Sequence, residues 1–202
     1  VTLAQALRLQ KTTRPDLLLI AMSATLDARL LQPYLEPCVQ IRSEGRAFPV
    51  EIEHLAKPLH PDHDTPWDAA AAAYERATRE GHNPGDALIF MPGAYEIQRT
   101  LEALRHVPAA KGALLLPLHG ELPPQEQDAA VARYDQKKIV VATNVAETSL
   151  TIDGIRLVID AGLARVARFD PWRGINTLLI ENVSRASADP RAKGPNEGRV
   201  AR

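Results

Sequence analysis

The sequence has few of the features that mark disulfide-rich, membrane-spanning or secreted proteins. Cys38 is its only cysteine, so no internal disulfide can form, as is typical of proteins in a reducing compartment. No apolar run approaches the roughly 20 residues that a membrane-spanning helix needs. The sequence starts at Val1 within a helical pattern and shows no charged-then-apolar leader. We therefore expect a cytoplasmic protein without a membrane span, and a fragment of a longer chain.

The sequence also has almost no net charge and few aromatic side chains. The 24 Lys and Arg against 25 Asp and Glu leave a formal net charge of −1 at pH 7, and aromatic residues make up 4% of the chain. Because an overall basic balance is absent, any contact with a nucleic acid must come from a local patch or from backbone groups. The apolar residues are mainly Ala, Leu, Val and Ile, which suit helices packed on a parallel sheet.

Short apolar runs separated by helical patterns predict an α/β fold. Residues 17–22 and 39–41 are predicted strands of a first unit, and residues 50–55 are a predicted edge strand. The following predicted helices are 68–80, 95–105 and 124–134, and the predicted strands are 87–91, 113–118, 138–142 and 157–160. This alternation indicates a parallel sheet with helices on both faces. A polar connector around Gly45 marks the boundary between the two units.

The polar segment after the strand at 138–142 carries most of the chemistry in the sequence. Thr143 and Asn144 follow that strand directly, and Asp153-Gly154 closes the segment before the next strand. Ligands of open α/β sheets bind beyond the carboxyl ends of the strands. Dense hydroxyl, amide and carboxylate groups there favour phosphate oxygens, ribose hydroxyls or backbone amides as partners. A Ser/Thr-rich turn that is satisfied within the protein is the alternative interpretation.

Several segments, in order, resemble the DEAH-box RNA helicases of superfamily 2. Motif III of that family is similar to Ser23-Ala24-Thr25, motif IV to ALIFMPGAYEI, and motif V to ATNVAETSLTIDGI. The segment LHGELPPQEQ resembles the next family segment, and GLARVARFDPWRGINTL points to the bacterial HrpB-type subgroup. The resemblance implies a RecA-like fold, with residues 1–45 as the end of a first RecA-like domain and 46–202 as the second, helicase C-terminal domain.

The same resemblance implies that different parts of the motif V segment contact RNA and the nucleotide. Thr143 and Asn144 would contact the backbone of an RNA strand. Ser149, Thr151 and Asp153 would face the nucleotide.

Motifs III and IV imply further residues, each with an alternative. Gly93 would lie on the nucleic-acid path, although a tight turn would also explain a glycine there. His119 and Gly120 are weaker candidates, since His119 also reads as an ordinary satisfied histidine. Ser23 and Thr25 would couple the nucleotide state to domain movement, while hydroxyls that cap the following helix are the alternative.

Two features of the family are absent from this sequence. There is no Gly-x-x-x-x-Gly-Lys-Ser/Thr loop to hold phosphates and no Asp-Glu-x-His segment to hold magnesium. In the family, both lie upstream of the motif III segment. We therefore expect ATP and Mg²⁺ to be cofactors of the intact protein, with none bound by this fragment alone and no ATP turnover by it. No metal site is predicted within the chain.

The last family motif is also disturbed. Pro190 stands where the family has a glutamine. One alignment keeps Arg199 and Arg202 as arginine fingers that reach the γ-phosphate. The other alignment treats residues 198–202 as the strand that follows the motif, with the fingers deleted.

Two side-chain clusters leave alternatives open. His60 and His63 have a spacing that suits a metal, but a Pro-rich loop without a third ligand favours solvated side chains. A basic cluster consists of Arg165, Arg168 and Arg173. It would bind phosphate or form an ion-paired face with Asp170 and Glu181.

The sequence thus predicts a fragment of an ATP-dependent RNA helicase. Its predicted partners are single-stranded RNA, held through the backbone, and the rest of the first RecA-like domain in the intact chain. A non-catalytic RecA-like module that binds RNA or a protein is the alternative. The oligomeric state is not predicted.

Overall fold

The computed structural model describes residues 2–22, 28–41, 51–55, 59–60, 63–82, 85–144, 152–183 and 199–201. The chain divides into two compact units, Val1–Arg46 and Ala47–Arg202.

The first unit contains two helices, α1 (Thr2–Thr12) and α2 (Ala28–Leu35). The strands predicted at 17–22 and 39–41 are not formed, and this prediction is wrong. Their apolar side chains are exposed, with Met22 at 88% and Ile41 at 89%. A parallel strand exists only where neighbouring strands pair with its backbone, and the described part of this unit contains no such neighbour.

The second unit is built on a parallel sheet. Its helices are α3 (Pro66–Arg79), α4 (Ala94–Arg105) and α5 (Pro124–Val131), with a 3₁₀ turn at Pro108–Ala110. The strands are β1 (Ile52–Glu53), β2 (Asp86–Phe90), β3 (Leu114–Leu118), β4 (Lys138–Ala142), β5 (Ile155–Asp160), β6 (Leu163–Asp170), β7 (Ile175–Asn182) and β8 (Arg199–Ala201). Within the described residues, six strands pair in parallel in the order β1-β8-β5-β2-β4-β3.

Helices cover both faces of this sheet, as predicted. On one face, α3 and α4 pack on alternate strand residues such as Ile89 and Val141. On the other face, α5 contributes Ala130 to a cluster that contains Leu88 and Val140. Successive residues of a strand point to opposite faces, so strands that are buried on both sides are apolar throughout. Burial of each large side chain contributes roughly 1.5–3 kcal/mol, which makes the central strands the stable frame of the unit.

An antiparallel hairpin of β6 and β7 lies outside the parallel sheet. Its turn closes with Gly174 at φ +65°, and the Gly174 amide donates to the carbonyl of Asp170 (2.8 Å). Several of its apolar side chains are exposed, including Phe169 and Leu178. No strands are predicted here from the sequence, because apolar residues on both faces of a two-stranded ribbon do not give a one-sided pattern.

Candidate functional site

Three neighbouring strands, β2, β4 and β3, end at the same level on one edge of the sheet. The amide of Met91 donates to the carbonyl of Ala142 (2.8 Å), and the amide of Thr143 donates to the carbonyl of Leu118 (3.0 Å). The loops that follow these strands therefore form one continuous edge, where α/β sheets bind their ligands. We call this edge the carboxyl rim, and it comprises residues 91–94, 119–121 and 143–144.

The structure brings three of the predicted nucleic-acid contacts together on the carboxyl rim. Thr143 is half-buried and Asn144 is exposed, one residue apart at the end of β4. Gly93 follows the adjacent strand β2 and is buried. A hydroxyl and an amide at this position can donate to phosphate oxygens without adding charge.

The constraint on Gly93 comes from neighbouring side chains rather than from its backbone conformation. Its φ of −165° is ordinary extended backbone. A Cβ on this residue would lie 2.7 Å from Nε of Arg165 and 2.8 Å from Oε2 of Glu96. The tight-turn interpretation is therefore replaced by a specific contact, in which an arginine of β6 and a glutamate of α4 occupy the space beside the Gly93 Cα.

Arg165 and Glu96 form an ion pair that links the hairpin to the carboxyl rim. The guanidinium Nη2 lies 3.7 Å from Oε2 of Glu96, which is longer than a hydrogen bond. The Glu96 side chain is only 11% exposed, and its buried Oε2 has no hydrogen-bond partner among the described residues. Removal of Arg165 would leave a buried carboxylate without this cation.

The remaining arginines of the basic cluster are ion-paired within the hairpin. Arg168 donates two hydrogen bonds to the Glu181 carboxylate, at 2.9 and 2.7 Å. These bonds lower the pKa of Glu181. Arg173 lies 3.8 Å from the Asp170 carboxylate. Of the two interpretations of this cluster, the structure shows the ion-paired face.

Asp153 lies on the opposite edge of the sheet from Thr143 and Asn144. It precedes β5, so it sits at the amino ends of the strands, about 16–20 Å away along a strand of five or six residues. Its carboxylate accepts hydrogen bonds from Nη2 and Nε of Arg133, at 2.6 and 3.1 Å. The motif V segment therefore begins at the carboxyl rim, with Thr143 and Asn144, and ends at the opposite edge of the sheet, with Asp153.

A buried lysine that the sequence analysis missed lies at this amino edge. Nζ of Lys138 donates to the carbonyls of Ala132 (2.5 Å) and Ala130 (3.3 Å), so it satisfies the carboxyl end of α5. Burial lowers the pKa of Lys138, and the nearby Asp86 and Asp153 carboxylates oppose that shift. The only sequence signal was a lysine at the start of a buried strand, which does not reveal its contacts.

The histidine candidates behave differently from each other. Nδ1 of His119 is buried without a hydrogen-bond partner among the described residues, so a histidine that is satisfied at both nitrogens is not observed. The rings of His60 and His63 stack with centroids 4.9 Å apart. The described part of the chain contains no group of three or more His, Cys, Asp or Glu side chains that could hold a metal.

Several predicted residues lie outside the described residues, namely Ser23, Thr25, Ser149, Thr151, Pro190 and Arg202. Arg199 is described in its backbone only. It is the first residue of β8 and pairs with Leu157 of β5, as in the alignment that places a strand there. None of the described helices is long and apolar enough to cross a membrane.

Comparison with known proteins shows what this chain is similar to. Residues 69–185 match the family described as helicase conserved C-terminal domain. The chain is 45% identical over 194 residues to the Escherichia coli ATP-dependent RNA helicase HrpB, covering 95% of this chain and 23% of that protein. It is 39% identical over 181 residues to the E. coli ATP-dependent RNA helicase HrpA, covering 88% of this chain and 14% of that protein.

A solved structure agrees with these sequence relationships. The crystal structure of the E. coli DEAH/RHA helicase HrpB matches with a TM-score of 0.84 and 44% identity, over 98% of this chain and 25% of that chain. The predicted RecA-like fold and the predicted resemblance to HrpB-type helicases are thereby confirmed. The chain spans no more than a quarter of the length of any of these relatives.

Proposed function

Because the chain belongs to the family of helicase conserved C-terminal domains, we propose that it is the second motor domain of an ATP-dependent RNA helicase, preceded by the end of the first. Relatives named as RNA helicases match nearly the whole chain. The division of the chain near Arg46 supports domain bounds of 1–45 and 46–202. The intact protein would work in the cytoplasm.

The carboxyl rim is the observation that carries the RNA-binding part of this proposal. Thr143, Asn144 and Gly93 follow the ends of two adjacent strands, at the edge where such sheets bind ligands, and this supports the proposal. Neutral donors that contact phosphate and sugar hold a strand without reading its sequence. We therefore expect binding of single-stranded RNA with little sequence preference and moderate salt dependence.

The nucleotide would meet other parts of the chain. Asp153, with Ser149 and Thr151, is the proposed nucleotide-facing group. Arg199 and Arg202 are arginine fingers in one of the two alignments, whereas the position of Arg199 in β8 supports the other. The chain's own residues do not fit a complete ATP–Mg²⁺ site, because the sequence has no phosphate loop and the described Asp153 is ion-paired with Arg133. ATP and Mg²⁺ would be held mainly by the first domain, with Ser23 and Thr25 coupling the two.

In the intact protein, ATP would close the cleft between the two motor domains, and hydrolysis would reopen it. This domain would hold the RNA backbone during that cycle, so closure and opening would move the strand. In this proposal, the chain alone binds the RNA backbone but does not hydrolyse ATP.

The second candidate is a non-catalytic RecA-like module that binds RNA or a protein. Pro190 favours it, because the family has a glutamine there and proline removes the side-chain amide. ATPase activity stimulated by RNA, measured with the first domain restored, separates the two candidates. Activity supports the helicase, whereas its complete absence supports the binding module.

RNA binding at the carboxyl rim is tested with Thr143→Ala combined with Asn144→Ala. Loss of two hydrogen bonds to the RNA backbone should weaken binding of a single-stranded oligonucleotide about tenfold, as measured by fluorescence anisotropy. Gln136→Ala is the matched control, since it removes an exposed amide before β4, at the opposite edge. Unchanged affinity of the double variant would refute the rim as the RNA contact.

A further inference from the structure

A cluster of two aromatic side chains and one cationic side chain lies beside the carboxyl rim. None of the three was among the predicted site residues. The cluster consists of Trp67 in the first turn of α3 and of Tyr95 and Arg99 on α4. The Trp67 and Tyr95 rings meet edge-to-face with centroids 5.9 Å apart. The Arg99 guanidinium lies 5.6 Å from the centroid of the Trp67 ring. We call these three residues the aromatic cluster.

The aromatic cluster is adjacent to the proposed path of the RNA strand. Tyr95 lies two residues after Gly93, in the first turn of the helix that starts from the rim. Tyr95 and Arg99 are four residues apart on α4 and therefore share one face of that helix. Both contact Trp67, so the start of α3 lies at the same end of the sheet.

Tyr95 is held in place yet remains accessible. Tyr95 is 61% exposed. Trp67 is less exposed, because it is half-buried. An aromatic pair of this geometry contributes about 0.5–1.5 kcal/mol beyond the burial of its area, which restrains the Tyr95 ring. A ring that only sealed the contact between α3 and α4 would be covered, and this one is not.

The charges around the cluster favour a base over a phosphate as its ligand. The Arg99 guanidinium already donates to the Glu102 carboxylate at 2.7 Å. Arg165, beside the start of α4, pairs in turn with the buried Glu96 carboxylate. An exposed aromatic ring without free positive charge suits the face of a nucleobase, and stacking of this kind tolerates any base.

We propose that Tyr95, supported by Trp67 and Arg99, is a stacking platform for an unpaired nucleobase of the RNA strand that crosses the carboxyl rim. This inference rests on the proposed RNA-binding function and adds a base contact to a site otherwise built for the backbone. Stacking adds affinity for single strands over duplexes, because paired bases do not expose their faces.

The test compares two oligonucleotides of equal length and charge, oligouridylate and its abasic counterpart. Wild type, Tyr95→Ala, Tyr95→Phe and the control Tyr134→Ala are titrated with each. Tyr134 is an exposed tyrosine that precedes β4 at the opposite edge of the sheet. We expect wild type to prefer oligouridylate about tenfold, in line with measured losses for base–aromatic stacking. Tyr95→Ala should lose that preference, while Tyr95→Phe and Tyr134→Ala should keep it.

A second readout uses the two tryptophans of the chain. With Trp172→Phe as background, Trp67 is the only tryptophan, and oligouridylate but not the abasic strand should quench its emission. If wild type binds both strands equally, or if Tyr95→Ala keeps the preference, the platform is refuted and the RNA-binding proposal stands. If wild type binds neither strand, the proposed function itself fails.

Discussion

The two edges of the parallel sheet carry polar groups of different kinds. The carboxyl rim presents the neutral side chains of Thr143 and Asn144 after β4, together with the exposed Glu121 after β3. The amino edge presents charged side chains that already pair with one another, including Arg133 with Asp153. Groups on the rim are suited to a ligand from outside, whereas those at the amino edge chiefly stabilise the fold. A nucleotide that used Asp153 would first have to compete with an arginine.

The largest effect on stability is expected at the amino edge, from Lys138→Ala. The change leaves the Ala130 and Ala132 carbonyls without their donor and opens a cavity, so unfolding free energy should fall by about 3 kcal/mol. Lys138→Met, which fills the space but cannot donate, should cost less. Urea denaturation at neutral pH measures both, and equal stability of all three proteins would contradict the assignment.

The same lysine predicts a pH dependence. Burial lowers its pKa below the ordinary value of 10.5, so the unfolded state binds the proton more tightly than the folded state. Stability from this group is therefore fully present above pH 10.5 and is lost as pH falls through the lower folded pKa. Relative to Lys138→Met, wild type should gain stability as pH rises towards 10.5. A constant difference between the two proteins would show that the pKa is not lowered.

Gly154→Ala should have the next largest effect. Gly154 has φ +87°, and a Cβ there would lie 3.0 Å from Oδ2 of Asp86. The other carboxylate oxygen of Asp86, Oδ1, accepts a hydrogen bond from the backbone amide of Lys138. Gly81→Ala is the matched control, because Gly81 has φ +75° but open space around it. We expect a loss of about 2 kcal/mol for Gly154→Ala and about 1 kcal/mol for the control. Equal losses in thermal unfolding would mean that the contact with Asp86 carries no cost.

Next to the carboxyl rim, Glu96→Gln should destabilise the domain by about 1 kcal/mol. It removes the buried negative charge that faces Arg165, and so loosens the hairpin at Gly93. Glu181→Gln breaks an exposed pair within the hairpin and should change stability less. Hydrogen exchange of β6 amides should rise in the first variant. Protection equal to wild type would show that the pair does not hold the hairpin.

The smallest effect on folding is expected from Asp153→Asn. Its pair with Arg133 is exposed, so its loss should cost less than about 0.5 kcal/mol. If Asp153 also faces the nucleotide in the intact protein, nucleotide affinity should fall while stability does not. A variant with normal nucleotide affinity would leave Asp153 as a residue of the amino edge alone.

The sheet and the rim could be predicted because their signals are local. The strand at 138–142 was predicted with its observed bounds, and Thr143 and Asn144 follow it directly. The hairpin, the Lys138 contacts and the Arg165–Glu96 pair could not be predicted. The hairpin has apolar residues on both faces, and the Lys138 contacts depend on where α5 ends. Arg165 and Glu96 are far apart in sequence. The prediction of strands at 17–22 and 39–41 is wrong because an apolar run indicates only that a segment can be buried. It does not indicate whether a neighbouring strand is present to pair with its backbone.

The β6–β7 hairpin also has a consequence for the solution behaviour of the chain. Phe169, Leu178 and Ile180 lie on one face of it and are 63%, 65% and 48% exposed, and Trp172 at its turn is 97% exposed. Contiguous apolar surface of this kind promotes association between molecules, and sulfate salts strengthen it. The hairpin therefore favours association of the isolated chain, while the parallel sheet stabilises its fold.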